Sequence, residues 1–167
     1  MSTATKTRAK VTLRKASPDD LMFINGIIET AVMSWQLPER VKRLTLPNYR
    51  YAAEHFDAMT LFLATGKDSA DVLGVLAICP AVEAEVPGGR PATRIHGVYV
   101  DPINHREGIG KKLVAHAVKA ARKAGVDGVV VTAQPDAFAF FEAVGFERCE
   151  APPSEDADFR NAYWKAL

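Results

Sequence analysis

The stretch from Val98 to Lys111 reads V-Y-V-D-P-I-N-H-R-E-G-I-G-K. It continues a β-prone run that begins at Arg94, turns at Pro102 and passes two glycines, Gly108 and Gly110. From Ile109 an apolar stripe follows at helical spacing: Leu113, Val114, Ala117, Val118 and Ala121. Gly125 is placed to end that helix. Strand, glycine-rich turn and helix, in that order, make a phosphate-binding geometry. The first helical turn leaves backbone N–H groups unpaired and carries partial positive charge, and glycines let a bulky anion reach the backbone without a Cβ in the way. Arg106, Lys111 and Lys112 add positive charge to the same place. A plain tight turn would use the same glycines, so on these residues alone both readings stand. Two other phosphate motifs fail on required positions. A dinucleotide fingerprint needs a third glycine where Leu113 stands, and a Walker A loop needs a glycine at His105 and a Ser or Thr at Lys112.

Upstream, Lys10 to Arg14 alternates as a first strand, and Ser17, Pro18, Asp19 and Asp20 form a helix start. Leu21, Ile24, Ile27, Ile28, Ala31 and Val32 carry that helix to about Met33. A second helix is expected from about Pro47 to Ala58. Leu61 to Thr65 and Val72 to Ile78 read as an antiparallel hairpin, and Pro87, Gly88 and Gly89 as a turn. Downstream come a Val-rich strand, Gly128 to Thr132, a short helix, Asp136 to Val144, closed by Gly145, and strands at Phe146 to Cys149 and Tyr163 to Leu167. Strands dominate the middle and helices flank them, which is a mixed α/β (α+β) layer architecture.

With 167 residues the chain fits one compact domain, taken as residues 10–167 behind a disordered tail over residues 1–9. Lys plus Arg number 21 against 20 Asp plus Glu, so the net charge of +1 excludes a general attraction to nucleic acid or an anionic membrane. The cations between Lys111 and Lys123 read as a solvated helix face rather than a nucleic-acid surface. No segment has the apolar run that spans a bilayer, and only two cysteines, Cys79 and Cys149, are present. Buried free thiols and a cytoplasmic location are therefore expected.

Val98 to Lys111 resembles the acetyl-CoA loop of the GNAT N-acetyltransferase superfamily. Phe138 to Phe146, F-A-F-F-E-A-V-G-F, is similar to that family's later helix with its Gly-Phe exit. With the element order from Val11 to Leu167, the resemblance covers most of the chain. It implies a mixed, mostly antiparallel sheet of about six to seven strands flanked by about four helices, with a splayed central strand pair. It also implies acetyl-CoA as co-substrate and an amine as acceptor. The backbone of Val98, Tyr99 and Val100 would pair with the pantetheine arm. The loop His105, Arg106, Glu107, Gly108, Ile109, Gly110 and Lys111 would hold the pyrophosphate, and Gln134 and Phe140 would complete the cofactor contacts. The chain departs from the family pattern at three positions. His105 replaces an Arg or Gln, Gln134 a frequent Asn, and Phe141 the Tyr that in many members protonates the departing thiolate.

An amine attacks a thioester only when neutral, yet with a pKa of about 10.4 a lysine-like amine is only about one part in a thousand neutral at pH 7. A base or a desolvating pocket is needed. His96 is the leading candidate base, because strict strand alternation puts it on the face of Val98 and Val100 and because some relatives, serotonin N-acetyltransferase among them, are similar in having a His at that strand position. A strand histidine satisfied by a backbone carbonyl is the plainer alternative. Glu29 and Glu54 are secondary candidates, and Tyr163 is the candidate for the missing acid, with packing as its plainer reading. Arg94 stands where histone acetyltransferases carry a Glu, and could orient an acidic acceptor. Trp35, Tyr49 and Tyr51 are candidates to line the acceptor pocket. A non-catalytic acyl-CoA sensor on the same fold is the competing function, and the family's frequent dimers leave a homodimer open.

Overall fold

The computed structural model describes residues 10–149 and 161–167, so the expected tail over residues 1–9 lies outside the described residues. Seven strands, β1 (Val11–Lys15), β2 (Thr60–Gly66), β3 (Val72–Pro80), β4 (Ala92–Val100), β5 (Gly128–Thr132), β6 (Glu147–Arg148) and β7 (Ala162–Ala166), form one sheet. Their order across it is β1-β2-β3-β4-β5-β7-β6. Every neighbouring pair is antiparallel except β4–β5, which is parallel and is bridged by the helix α4 (Ile109–Ala124). A parallel pair needs such a crossover, and the amphipathic stripe read from the sequence supplies it. Ile109, Leu113, Val114, Ala117, Val118 and Ala121 are all buried, as the stripe predicts.

The core has two main parts, one on each face of the sheet. α4 and α5 (Phe138–Ala143) cover one face, where Leu76, Ile95, Val129 and Val131 meet Phe141, Phe146 and Tyr163. On the other face α1 (Leu21–Met33) and α2 (Glu39–Tyr49) bury Ile24, Ile28, Val32 and Leu46 against Leu61, Leu63, Val75 and Ala77. Alternation along β2 and β3 sends successive side chains to these two layers, which is why both strands read as nearly continuous apolar runs.

The sequence expectation fails between Gln36 and Ala58. Instead of one helix from Pro47, the chain forms α2, with Pro47 inside it, and a separate turn α3 (His55–Ala58), so five α-helices stand among the described residues where about four were expected. The inward positions of α2 are Lys42 and Leu46. Lys42 is 6% exposed, and its ammonium donates to the Met33 carbonyl at 2.8 Å, capping α1, while pairing with Glu39 at 2.6 Å. A lysine occupies the core-facing place where an apolar residue would have advertised the helix.

Candidate active site

β4 and β5 run together for only four pairs, from Ala92 with Gly128 to Ile95 with Val131. Beyond Ile95, β4 continues to Val100 paired on its other side with β3 alone. The sheet is therefore split between its central strands, and the backbone of β4 from His96 onward faces the opening. Val98 and Val100 are partly buried and pack toward the α4 face, while Tyr99 is buried in the opposite layer, so only its backbone faces the opening.

The glycine-rich turn closes one end of the split. After Val100, Asp101 caps a short turn by accepting from the Ile103 amide at 3.1 Å, and an imidazole nitrogen of His105, Nε2, lies 3.3 Å from the Val100 carbonyl. Arg106 has φ +64° and Gly108 φ +82°, two left-handed residues that turn the loop into α4. The first bond of the helix is Lys112 N–H to the Gly108 carbonyl at 3.1 Å, so the amides just before it lie outside the helical ladder. Gly110 faces Phe140, where an added Cβ would lie 3.2 Å from Cζ and 3.7 Å from Val100 Cγ2. The Phe140 ring fills the place a Gly110 side chain would take, and the contact brings together Val100, Gly110 and Phe140, three of the residues expected to bind the cofactor. Gln134 donates to the Tyr49 hydroxyl at 3.2 Å, linking the end of β5 to the end of α2.

His96 does not lie where simple alternation puts it. Gly97 pairs with Ala77 and Ile95 with Ile78, leaving His96 as the extra residue of a β-bulge. The bulge reverses parity. Ile95 packs in the α4 layer with Val98 and Val100, while His96 turns to the α1 side, where its Nδ1 lies 2.8 Å from the Tyr51 hydroxyl. Burial first, then the positive charge of Arg94 and of His55, pushes the His96 pKa below its ordinary value, with Glu85 opposing. The shift favours the neutral ring, although His96 is exposed at the surface. Tyr51 is itself fixed by a residue the sequence reading missed. The Asn25 side chain, on α1, accepts from the Tyr51 amide and donates to its carbonyl, both at 2.9 Å. Asn25, a polar residue directly after the buried Ile24 and two places before Ile27, was the available signal.

The remaining candidates are scattered. Glu29 is paired with Arg50 at 3.0 Å, and Arg94 with Glu85 at 3.0 Å. Glu54 is exposed beside α3. Trp35 and Tyr49 meet edge to face, 5.2 Å between centroids, at the end of the α1–α2 layer. Tyr163 is 1% exposed, packs on Phe138 and Phe141 in the α4–α5 layer, and donates its hydroxyl to Glu142 at 3.1 Å. It thus lies on the sheet face opposite His96. Phe141 is 2% exposed and packs on Phe146. Cys79 and Cys149 are free thiols, partly rather than fully buried, and burial pushes both pKa values up. Among the described residues no helix is long and apolar enough to cross a membrane.

A strand pair split at its midpoint, with a glycine-cradled helix start at the mouth, is the architecture of an acyl-CoA-dependent transferase fold. Residues 29–146 match the model of the acetyltransferase (GNAT) family, and the chain belongs to that family. No curated protein matches it in sequence. The fold is similar to a GNAT family acetyltransferase from Brucella melitensis solved with acetyl-CoA, at 20% identity and TM-score 0.64 over 95% of this chain and 89% of that one. It is also similar to the PaiA N-acetyltransferase from Thermoplasma acidophilum solved with coenzyme A, at 14% identity and TM-score 0.70 over 93% and 96%. A GNAT family acetyltransferase from Staphylococcus aureus Mu50 gives 15% identity and TM-score 0.68 over 95% and 99%.

Proposed function

We propose that this chain is an acetyl-CoA-dependent N-acetyltransferase that transfers an acetyl group to a primary amine by direct attack in a ternary complex. The observation that carries this reading is the coincidence of the opened β4 edge with the glycine-rich start of α4. The residues present fit acetyl-CoA. The backbone of Val98, Tyr99 and Val100 would pair with the pantetheine arm, and the amides from Arg106 to Lys111 would hold the phosphates, with Gly110 letting the loop backbone pack directly against Phe140. Gln134 stands by at the end of β5. Acetyl-CoA, when bound, supplies an acyl group already activated as a thioester.

The acceptor would approach from the α1–α2 side, past Trp35, Tyr49 and Tyr51, to reach His96 at the bulge. His96 is the polar group proposed to act at the reacting end. Tyr163, the other sequence candidate, has its proton engaged by Glu142. The absence of a hydroxyl at Phe141 is tolerable, because a thiol of pKa about 8.5 leaves as thiolate without an acid.

Phe141 also favours a second reading, an acyl-CoA sensor without turnover. A calorimetric titration with acetyl-CoA, with NAD and ATP as controls, followed by an amine screen for CoA release, tests both. Selective acetyl-CoA binding with CoA release against at least one amine supports the transferase. Binding without release against any amine favours the sensor, and no binding by folded protein removes both.

A further inference from the structure

We propose that Tyr51 fixes the neutral His96 ring as its Nε2–H tautomer, so that the ring offers the acyl-transfer site a hydrogen-bond donor rather than a lone pair. The proposal deepens the transferase reading and rests on it for its catalytic consequence. The ring assignment itself rests on geometry alone.

Tyr51 is 4% exposed, and its hydroxyl has a single partner among the described residues, His96 Nδ1 at 2.8 Å. One proton lies between the two atoms when both are neutral. If Nδ1 carried it, the Tyr51 hydroxyl would only accept, and its own proton would be left buried without an acceptor, at a cost of about 1–3 kcal/mol. If Tyr51 donates, both groups are satisfied and the ring proton sits on Nε2, which has no partner among the described residues. Burial also drives the Tyr51 phenol far above its ordinary pKa, with Tyr99 and Cys79 adding to the shift, so Tyr51 keeps its proton. The geometry is built rather than incidental. Asn25 clamps the Tyr51 backbone at both its amide and its carbonyl, and the bulge swings His96 to meet the hydroxyl. The charged and titratable neighbours of the ring are Arg94, Glu85 and His55.

A neutral imidazole with its proton on Nε2 polarises a carbonyl through that N–H, and cannot take the proton of an attacking amine at the same nitrogen. His96 would hydrogen-bond the acyl oxygen as negative charge gathers there. The C–N bond forms, the C–S bond breaks with its electron pair leaving on sulfur, the amine proton passes to solvent, and the ring keeps its own. Tyr51 is then a positioning residue acting through His96. This replaces the base role that strand alternation suggested.

The test is nitrogen-15 NMR of the histidine rings at pH 7.5. The chain has four histidines, and His96→Gln identifies the signal by difference. The expected spectrum shows His96 Nε2 in the protonated range and Nδ1 in the unprotonated range, with both shifts moving toward an averaged ring in Tyr51→Phe. A protonated Nδ1 in the wild-type protein overturns the assignment, whatever the activity. In turnover, His96→Ala is expected to lose about 10²- to 10³-fold in kcat, as for removal of an oxyanion donor, with acetyl-CoA affinity unchanged. His96→Gln, which keeps an N–H but has no proton-accepting nitrogen, should recover part of that loss. Equal loss in the two variants overturns the donor role. An Nε2–H ring in a protein that releases no CoA leaves the assignment standing and removes the transferase reading instead.

Discussion

Gly110 and Phe140 touch across the mouth of the split sheet so closely that a Cβ on Gly110 would stand 3.2 Å from the ring's Cζ and 3.3 Å from Cε2. Gly110→Ala must push the ring by a few tenths of an ångström. Gly110→Glu also brings a carboxylate among amides proposed to hold phosphate, and a like charge at about 4 Å weakens binding by roughly tenfold or more. Calorimetry should show acetyl-CoA affinity falling modestly in the first variant and strongly in the second. Unchanged affinity in Gly110→Glu would remove the loop from the cofactor site.

Asn25 holds two backbone groups of Tyr51. In Asn25→Ala both lose their partner, and each orphaned buried group costs about 1–3 kcal/mol unless water enters. Urea denaturation should give a lower midpoint by a margin larger than surface substitutions on the same helix produce. The His96 ring signal should broaden as Tyr51 loosens. A variant with wild-type stability and an unchanged ring spectrum would show that the clamp contributes nothing.

Acid should weaken the fold before its carboxylates titrate. His96 and His116 both have pKa values below the ordinary 6.5, in each case chiefly through burial. For His116, which stacks edge to face on Phe62 at 4.4 Å, the Lys119 charge adds to the shift. Between the folded and unfolded pKa values the unfolded chain binds more protons, so stability rises with pH. It is complete above about pH 6.5 and is lost as pH falls from there through the folded values. Urea midpoints at pH 7.5 and pH 5 should differ in the wild-type protein and differ less in His116→Gln. The same gap in both would place the acid sensitivity elsewhere.

Gly125 ends α4 at φ +74° with nothing within 4 Å of where a Cβ would stand, so the cost of a side chain there is conformational alone. Gly125→Ala should destabilise the protein by about 1–2 kcal/mol, and Gly125→Asn by less, because Asn visits the left-handed region more readily. Denaturant titration of the pair measures the difference. Equal stability of Ala and Gly would mean that the helix end rearranges.

The helices with apolar stripes were legible at the level of single residues. Ser17 to Met33 and Ile109 to Gly125 appear where the periodicity places them, because burial of one face is a local rule that a helix cannot satisfy with another pattern. α2 was not legible, since one of the two residues it sends inward is Lys42, whose ammonium is held by Glu39 on its own helix and by the Met33 carbonyl that tertiary packing brings to it.

For the site the division is similar. The sequence by itself determined the loop, because the glycines, the strand before them and the stripe after them are contiguous and each carries its own chemistry. It also singled out His96. Only the tertiary structure decided which way His96 points. Alternation predicts a face from parity, but one bulged residue reverses parity, and the partner that exploits the reversal, Tyr51, is 45 residues away in the chain and held by Asn25, 26 residues further back. The proton on an imidazole is fixed by the atom facing its other nitrogen, and that atom is a product of folding rather than of neighbouring sequence.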